Sequence, residues 1–161
     1  EAQAAGVDLF IAETMSLTRE AVAATLAARE SGLPAWIAFT VDDQDGTRLR
    51  SGESLMDAAR AVVDIGADAV LINCSAPEAI TNAMPILAGL GVSFGGYANG
   101  FEAAAELKAG GTVDALTARE SMTPAVYADH VQAWIDAGAT IVGGCCEIGP
   151  PHIAELYRRF R

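Results

Sequence analysis

Short apolar runs alternate along the chain with longer segments in which apolar residues recur at helical spacing. The short runs are hydrophobic at nearly every position, which is typical of strands covered on both faces, and they lie at residues 7–12, 35–41, 69–72, 92–98 and 140–142. Because each run is followed by an amphipathic segment, the pattern predicts about five consecutive βα units that share one parallel sheet.

Helix start and stop signals separate the predicted strands. A helix over residues 16–30 is closed by Gly32 and Pro34, and Ser54 with Asp57 three residues later marks the start of the next helix. Each helix is therefore expected to end before the following strand begins.

The later helices carry similar signals. Ser75 and Glu78 form a candidate capping box, and Pro85 is expected to kink or shorten the helix behind it. Thr123 followed by Pro124 predicts an N-cap and a first helical residue. Residues 101–109 have helical character and are expected to form a helix within the long connection after the fourth strand.

The last two helices carry apolar stripes that we interpret as core positions. One helix begins at Pro124, and the other follows Pro150 and Pro151. Their stripes are Tyr127, Val131, Trp134 and Ile135 in the first helix and Ile153, Leu156, Tyr157 and Phe160 in the second.

Two α/β architectures fit this order of elements. One is a five-stranded doubly wound parallel sheet, and the other is part of a (β/α)8 barrel. Periodicity alone does not choose between them. The glycine pairs lack the spacing of a phosphate-binding loop and no G-x-G-x-x-G is present, so dinucleotide binding has no support.

Composition and charge restrict the partners. The 161 residues, 52% of them hydrophobic, suit one domain with a substantial core. The formal net charge of −11 disfavours nucleic acid and anionic membrane surfaces. No apolar run approaches the roughly 20 residues that cross a bilayer, and no basic-then-apolar leader opens the sequence. We therefore expect a cytoplasmic location.

The three cysteines are the main candidates for chemistry. An odd number with two adjacent members, Cys145 and Cys146, argues against structural disulfides. Cys74 and the adjacent pair each follow a predicted strand, where parallel α/β folds place their sites. Three convergent thiols form a soft-metal site for which Zn²⁺ is the default ion, with a fourth position open. The alternative is three small buried apolar side chains.

Two separated cysteine motifs resemble those of the homocysteine S-methyltransferases. The first is Asn73-Cys74, and the second is the GGCC run at residues 143–146, followed by Pro150 and His152. The stretches 39–52 and 122–139 resemble the same family, so the similarity spans essentially the whole chain.

The resemblance implies a (β/α)8 barrel with Zn²⁺ held by Cys74, Cys145 and Cys146 at its C-terminal face. It further implies that Glu13 holds the amino group of homocysteine and that Asn73 orients a ligand or contacts substrate. The metal would activate homocysteine as a thiolate for methylation to methionine, and the methyl donor would be a small molecule or a cobalamin. Glu147-Ile148-Gly149 departs from the small or hydroxyl residues of many relatives, which leaves the donor open.

The length of the chain restricts the part of the barrel that it can form. An eight-stranded barrel usually takes about 250 residues, so residues 1–161 are expected to form the C-terminal five βα units of a barrel domain, without its N-terminal units. Complementation by those units or homo-oligomerisation would then be possible, and we expect the chain alone to lack full activity. Two other functions stay open: a non-catalytic zinc-thiolate module and a flavodoxin-like redox domain.

The remaining polar candidates have simpler interpretations. We expect His152 to be a partly exposed helix-terminal residue and His130 to lie on a solvated helix face. Asp42, Asp43 and the Asp45-Gly46 pair are interpreted as turn residues.

Overall fold

Strands and helices alternate in the computed structural model, which describes residues 6–102 and 116–161. The elements are β1 (Phe10–Met15), α1 (Thr18–Glu30), β2 (Ala35–Phe39), α2 (Leu55–Asp64), β3 (Ala69–Asn73), α3 (Pro77–Ala88), β4 (Ser93–Tyr97), α4 (Pro124–Asp136), β5 (Ile141–Val142) and α5 (Pro150–Phe160). The five predicted βα units are confirmed. The helix predicted over 101–109 falls mostly on residues 103–115, outside those that the structure describes.

The sheet is parallel, and its strand order follows the chain. The order is β1-β2-β3-β4-β5, and each strand pairs with the next in parallel register. A doubly wound sheet reverses direction at a switch point, whereas successive right-handed crossovers in one direction build a barrel wall. The doubly wound alternative is therefore wrong, and the chain forms five βα units of a barrel.

The middle of the sheet is more deeply buried than its first strand. All five residues of β3 are buried, as the continuous apolar run predicts. Exposed and half-buried positions alternate along the first part of β1, which pairs with β2 on one side. The apolar run at residues 7–12 predicts the position of β1 only approximately, because the strand begins at Phe10 and continues to Met15.

Two helix starts match their predictions, and one does not. The hydroxyls of Ser54 and Thr123 accept hydrogen bonds from the backbone N–H groups of Asp57 and Val126, as N-caps do. The capping box at Ser75 is wrong, because Ala76 is the N-cap of α3 and makes no side-chain cap bond.

Ser75 is instead buried and bonded to the neighbouring strand region. Its hydroxyl accepts from Val41 N at 2.9 Å and donates to Asn73 O at 3.0 Å. The helix that follows includes Pro85 and ends three residues later, so the proline does not itself terminate α3. A long-range hydrogen bond of Ser75, and not a local cap, therefore holds the backbone just before α3.

The two predicted apolar stripes have different environments. Tyr127, Val131 and Trp134 of α4 are fully buried, and Ile135 packs against the core. In α5, Leu156 is buried and Phe160 packs against the core, but Ile153 is 44% exposed and Tyr157 63% exposed. The interpretation of Ile153 and Tyr157 as core positions is wrong, because the described residues place no element over that side of α5. No helix in the described part of the chain is long and apolar enough to cross a membrane.

Candidate metal centre

The three cysteine side chains converge at the carboxyl ends of β3 and β5. Their sulfur atoms all lie within 4.8 Å of one another, and each residue is half-buried. Cys145 Sγ and Cys146 Sγ are 3.8 Å apart. Thiolates bound at about 2.3 Å around a tetrahedral Zn²⁺ ion lie about 3.8 Å apart, so the sulfur cluster fits a tetrahedral thiolate site.

Cys74 occupies a tight turn directly after β3. Its φ of 50° lies in the left-handed region that residues with a side chain rarely adopt. The turn is held from two sides, because Cys74 N donates to Tyr97 O at 3.3 Å and Arg50 Nη2 donates to Cys74 O at 2.7 Å. Arg50 in turn lies 3.6 Å from Asp43, whose carboxylate accepts from Ala76 N at 2.7 Å.

The adjacent pair follows β5 on a glycine segment. Cys145 N donates to Ala98 O at 2.9 Å, and Gly100 N donates to Cys146 O at 2.8 Å. A Cβ at Gly144 would lie 2.8 Å from Ile148 Cβ, whereas one at Gly143 would make an ordinary contact with Tyr97 Cβ at 3.5 Å. Close packing on Ile148 therefore requires the second glycine of the pair.

The thiols influence one another's protonation. The hydrogen bond from Cys145 lowers the pKa of Cys74, and the same contact together with burial raises the pKa of Cys145. Burial raises the pKa of Cys146. Without a cation, one thiolate is therefore favoured at Cys74 over the other two positions.

Glu13 and Tyr97 form a polar pair beside the sulfur cluster. Tyr97, at the end of β4, donates its hydroxyl to Glu13 Oε1 at 3.1 Å, and Glu13 is exposed on β1. Burial of the tyrosine, and then the nearby Glu13 carboxylate, raise the pKa of Tyr97, which keeps its hydroxyl protonated as a donor. Sequence reasoning missed Tyr97, although its position at a strand end was a usable signal.

Asn73 is buried, and both the oxygen and the nitrogen of its side-chain amide bond to Thr14 of β1. Its Oδ1 accepts from Thr14 N and its Nδ2 donates to Thr14 Oγ1, both at 2.9 Å. Thr14 has a φ of 59°, so the amide stabilises an unusual backbone turn next to Glu13. Its observed contacts are with the protein chain.

The other polar candidates do not belong to the sulfur cluster. His152 is half-buried at the start of α5, with Nε2 2.8 Å from Met122 O. His130 is also half-buried, 3.8 Å from Glu78. Asp42 Oδ1 accepts from Gln44 N and Asp45 N, as expected for a turn residue.

Comparisons with known proteins agree with this geometry. The family model for homocysteine S-methyltransferase matches residues 1–160. The homocysteine S-methyltransferase of Escherichia coli (strain K12) is 34% identical over 164 residues, which cover 96% of this chain and 48% of that protein. Homocysteine S-methyltransferase 4 of Zea mays is 31% identical over 171 residues, which cover 98% and 45%.

A solved structure gives the same relationship in three dimensions. The crystal structure of the metallated form of the homocysteine methyltransferase MmuM from Escherichia coli superposes with a TM-score of 0.72 at 29% identity. The match covers 96% of this chain and 46% of that one. The chain thus spans about half the length of the relatives that it matches.

Proposed function

The chain belongs to the homocysteine S-methyltransferase family, and from this premise we propose that it serves zinc-dependent transfer of a methyl group to the thiol of homocysteine, giving methionine. The observation that carries the proposal is the sulfur cluster, in which Cys74, Cys145 and Cys146 lie within 4.8 Å of one another. These residues would hold the metal and leave one tetrahedral position for the substrate sulfur.

The three cysteines are suited to activating a thiol. The chemistry that a bound zinc ion supplies is stabilisation of the homocysteine thiol as a thiolate at neutral pH. Cys74, Cys145 and Cys146 would bind as thiolates, so their three negative charges exceed the charge of the ion. That excess keeps the substrate sulfur electron-rich and therefore nucleophilic toward a methyl group.

Glu13 is the proposed partner of the homocysteine amino group. It is exposed, and its carboxylate accepts from the hydroxyl of Tyr97 at the end of β4, the strand between the two that carry the thiols. An ammonium group would make a charge-assisted hydrogen bond with its carboxylate. Asn73 would act through Thr14, by holding the end of β1 that carries Glu13.

The methyl donor is left open by the described residues. Glu147 follows the second cysteine motif with a φ of 65°. A small-molecule donor and a methyl cobalamin are both compatible with this site. The donor would approach from the side that further βα units enclose in a closed barrel.

The five strands of the described residues form an open sheet, so we propose that the full reaction needs the remaining wall of the barrel. Those units could be supplied by a complementing polypeptide or, in part, by a second copy. We expect the chain alone to bind metal and to lack full methyl transfer.

Metal and substrate binding by the chain itself test the proposal. Protein prepared without metal is titrated with Co²⁺, whose thiolate complexes absorb in the near ultraviolet. We expect about one ion per chain, with the band lost in Cys74→Ser and Cys145→Ser. Homocysteine should then change the cobalt spectrum, whereas methionine, which has no free thiol, should leave it unchanged.

Two outcomes would count against the proposal. Failure of the chain to bind metal would exclude a thiolate site. Binding of metal with no spectral response to homocysteine would instead identify a non-catalytic zinc-thiolate module.

A further inference from the structure

A tyrosine hydroxyl is inserted into the backbone ladder between β4 and the segment that carries Cys145. Gly143 N donates to Gly96 O at 3.3 Å, and Cys145 N donates to Ala98 O at 2.9 Å. In a regular parallel ladder, Ala98 N would donate to Gly143 O between these two bonds. Here Ala98 N donates to Tyr127 Oη at 3.0 Å, and Tyr127 Oη donates to Gly143 O at 2.7 Å.

The insertion explains why β5 is short. Its pairing with β4 stops at Val142, one residue before the carbonyl that the hydroxyl occupies. The regular bond at Cys145 then follows on the far side of the insertion. The hydroxyl therefore separates the two backbones just ahead of the adjacent cysteines.

The ring of Tyr127 is fixed, so its hydroxyl has a defined position. The side chain is fully buried and packs edge-on against Trp134 and His152, with ring centroids 6.0 Å and 5.9 Å away. Trp134 is itself anchored by its Nε1–H, which donates to Thr81 Oγ1 at 2.9 Å. The α4 helix thus holds the hydroxyl oxygen of Tyr127 in one position.

We infer that Tyr127 is a positioning residue of the metal centre, which sets the spacing of Cys145 and Cys146 relative to Cys74. Cys74 belongs to the β3 end and is bonded to Tyr97 O of β4, whereas Cys145 is bonded to Ala98 O. The distance between the two ligand segments therefore depends on how β5 is held against β4. Without the hydroxyl, Ala98 N and Gly143 O must either close together, which moves the glycine segment, or remain unpaired, which removes the bonds that hold this segment in place.

Tyr127→Phe tests this inference, because it removes the hydroxyl and keeps the ring. The inference rests on the proposed metal site, and the readout is the affinity for Co²⁺ together with the visible spectrum of the bound ion. We expect Tyr127→Phe to weaken Co²⁺ binding about 10- to 100-fold, as loss of a ligand-orienting partner does in other sites, and to shift the visible bands.

Thr25→Val is the matched control. It removes a different buried hydroxyl, which donates to Ala21 O at 2.7 Å within α1, and we expect it to change Co²⁺ affinity by no more than about twofold. Circular dichroism and thermal unfolding identify the variants that fold.

The outcomes separate this inference from the proposed function. If both variants lose thermal stability and both keep the wild-type affinity and spectrum, Tyr127 has only a structural role and the inference is wrong. If the wild-type chain binds no Co²⁺, the proposed metal site itself fails.

Discussion

Gly143 and Gly144 precede the adjacent cysteines, but the packing around them makes unequal demands. The backbone of Gly144 lies against Ile148, which is buried, while Gly143 faces Tyr97 at an ordinary distance. The sequence motif shows two equivalent glycines. The structure assigns the steric requirement to Gly144, which directly precedes the proposed ligand Cys145.

A pair of alanine substitutions tests this difference. Gly144→Ala should lower the free energy of unfolding by about 1–3 kcal/mol, the usual range for overpacking, and should weaken metal binding because Cys145 must shift. Gly143→Ala should leave both quantities close to wild type. Urea denaturation and Co²⁺ titration measure the two effects, and equal behaviour of the variants would contradict the assignment.

The convergence of the cysteines could be predicted from the sequence, but the groups that hold them could not. Parallel strands end at the same edge of a sheet, so the strand-end positions of Cys74 and Cys145 are sufficient to predict that their side chains lie close together. Arg50 and Tyr97 reach Cys74 through contacts made in the folded chain. No local pattern specifies that a particular arginine will bond one carbonyl.

At the scale of elements, α4 and α5 are joined by a charged cluster near the end of α5. Arg159 lies 2.6 Å from Asp129 of α4 and 2.8 Å from Glu155, and Arg158 also pairs with Glu155 at 2.6 Å. These two arginines lower the pKa of Glu155 to about 2. Since the carboxylate orients Arg159 toward α4, it supports the packing of the last helix.

The lowered pKa gives a stability effect with a defined sign. Because the folded pKa lies below the ordinary value near 4.5, Glu155 stabilises the folded chain above that pH, and this contribution is lost as the pH falls toward 2. Glu155→Gln should therefore lower Tm at pH 7 and match wild type near pH 2. Thermal unfolding at both pH values tests this.

Glu30→Gln supplies the comparison, because Glu30 lies at the end of α1 outside the ion pairs found among the described residues. We expect a smaller change of Tm at pH 7 for that variant. A Glu155→Gln difference that persists undiminished at pH 2 would contradict the role given to the carboxylate.

Element order was predictable, whereas some element ends were not. Buried apolar runs and helix caps predicted five βα units, and Ser54 and Thr123 cap their helices as expected. Ser75 has the sequence of a cap, but its hydroxyl bonds Val41 N, because burial between strands makes that long-range partner available. A local signal fails where a tertiary bond competes for the same atom.

At the scale of the molecule, the open sheet leaves apolar side chains at its two flanks. Ile11 on β1 is 42% exposed, and Ile153 and Tyr157 lie one turn apart on the outer face of α5. In a closed barrel, neighbouring βα units would cover such positions. Periodicity predicted α5 correctly as amphipathic but could not reveal that part of its stripe lacks a neighbour in the described structure.

The exposed face of α5 formed by Ile153 and Tyr157 predicts that copies of the chain associate. Sedimentation velocity should detect reversible self-association at micromolar concentrations, driven by burial of these side chains. The double variant Ile153→Lys/Tyr157→Lys should increase the monomer fraction. Val126→Lys, which alters a 38% exposed side chain on α4, should have little effect. The same monomer fraction in the double variant and wild type would exclude this face.

The positions of the proposed ligands along the chain have a consequence for folding. Cys74 and Cys145 are separated by about 70 residues, so an ion that joins them closes a long covalent loop in the manner of a cross-link. A cross-link of that length restricts the unfolded chain by an entropy equivalent to about 4 kcal/mol in the simplest polymer treatment. Unlike a disulfide, this link would be made and released by exchange with the surrounding metal supply. Binding of the metal and folding of the chain would thus be coupled, and the stability of the fold would depend on the concentration of free metal.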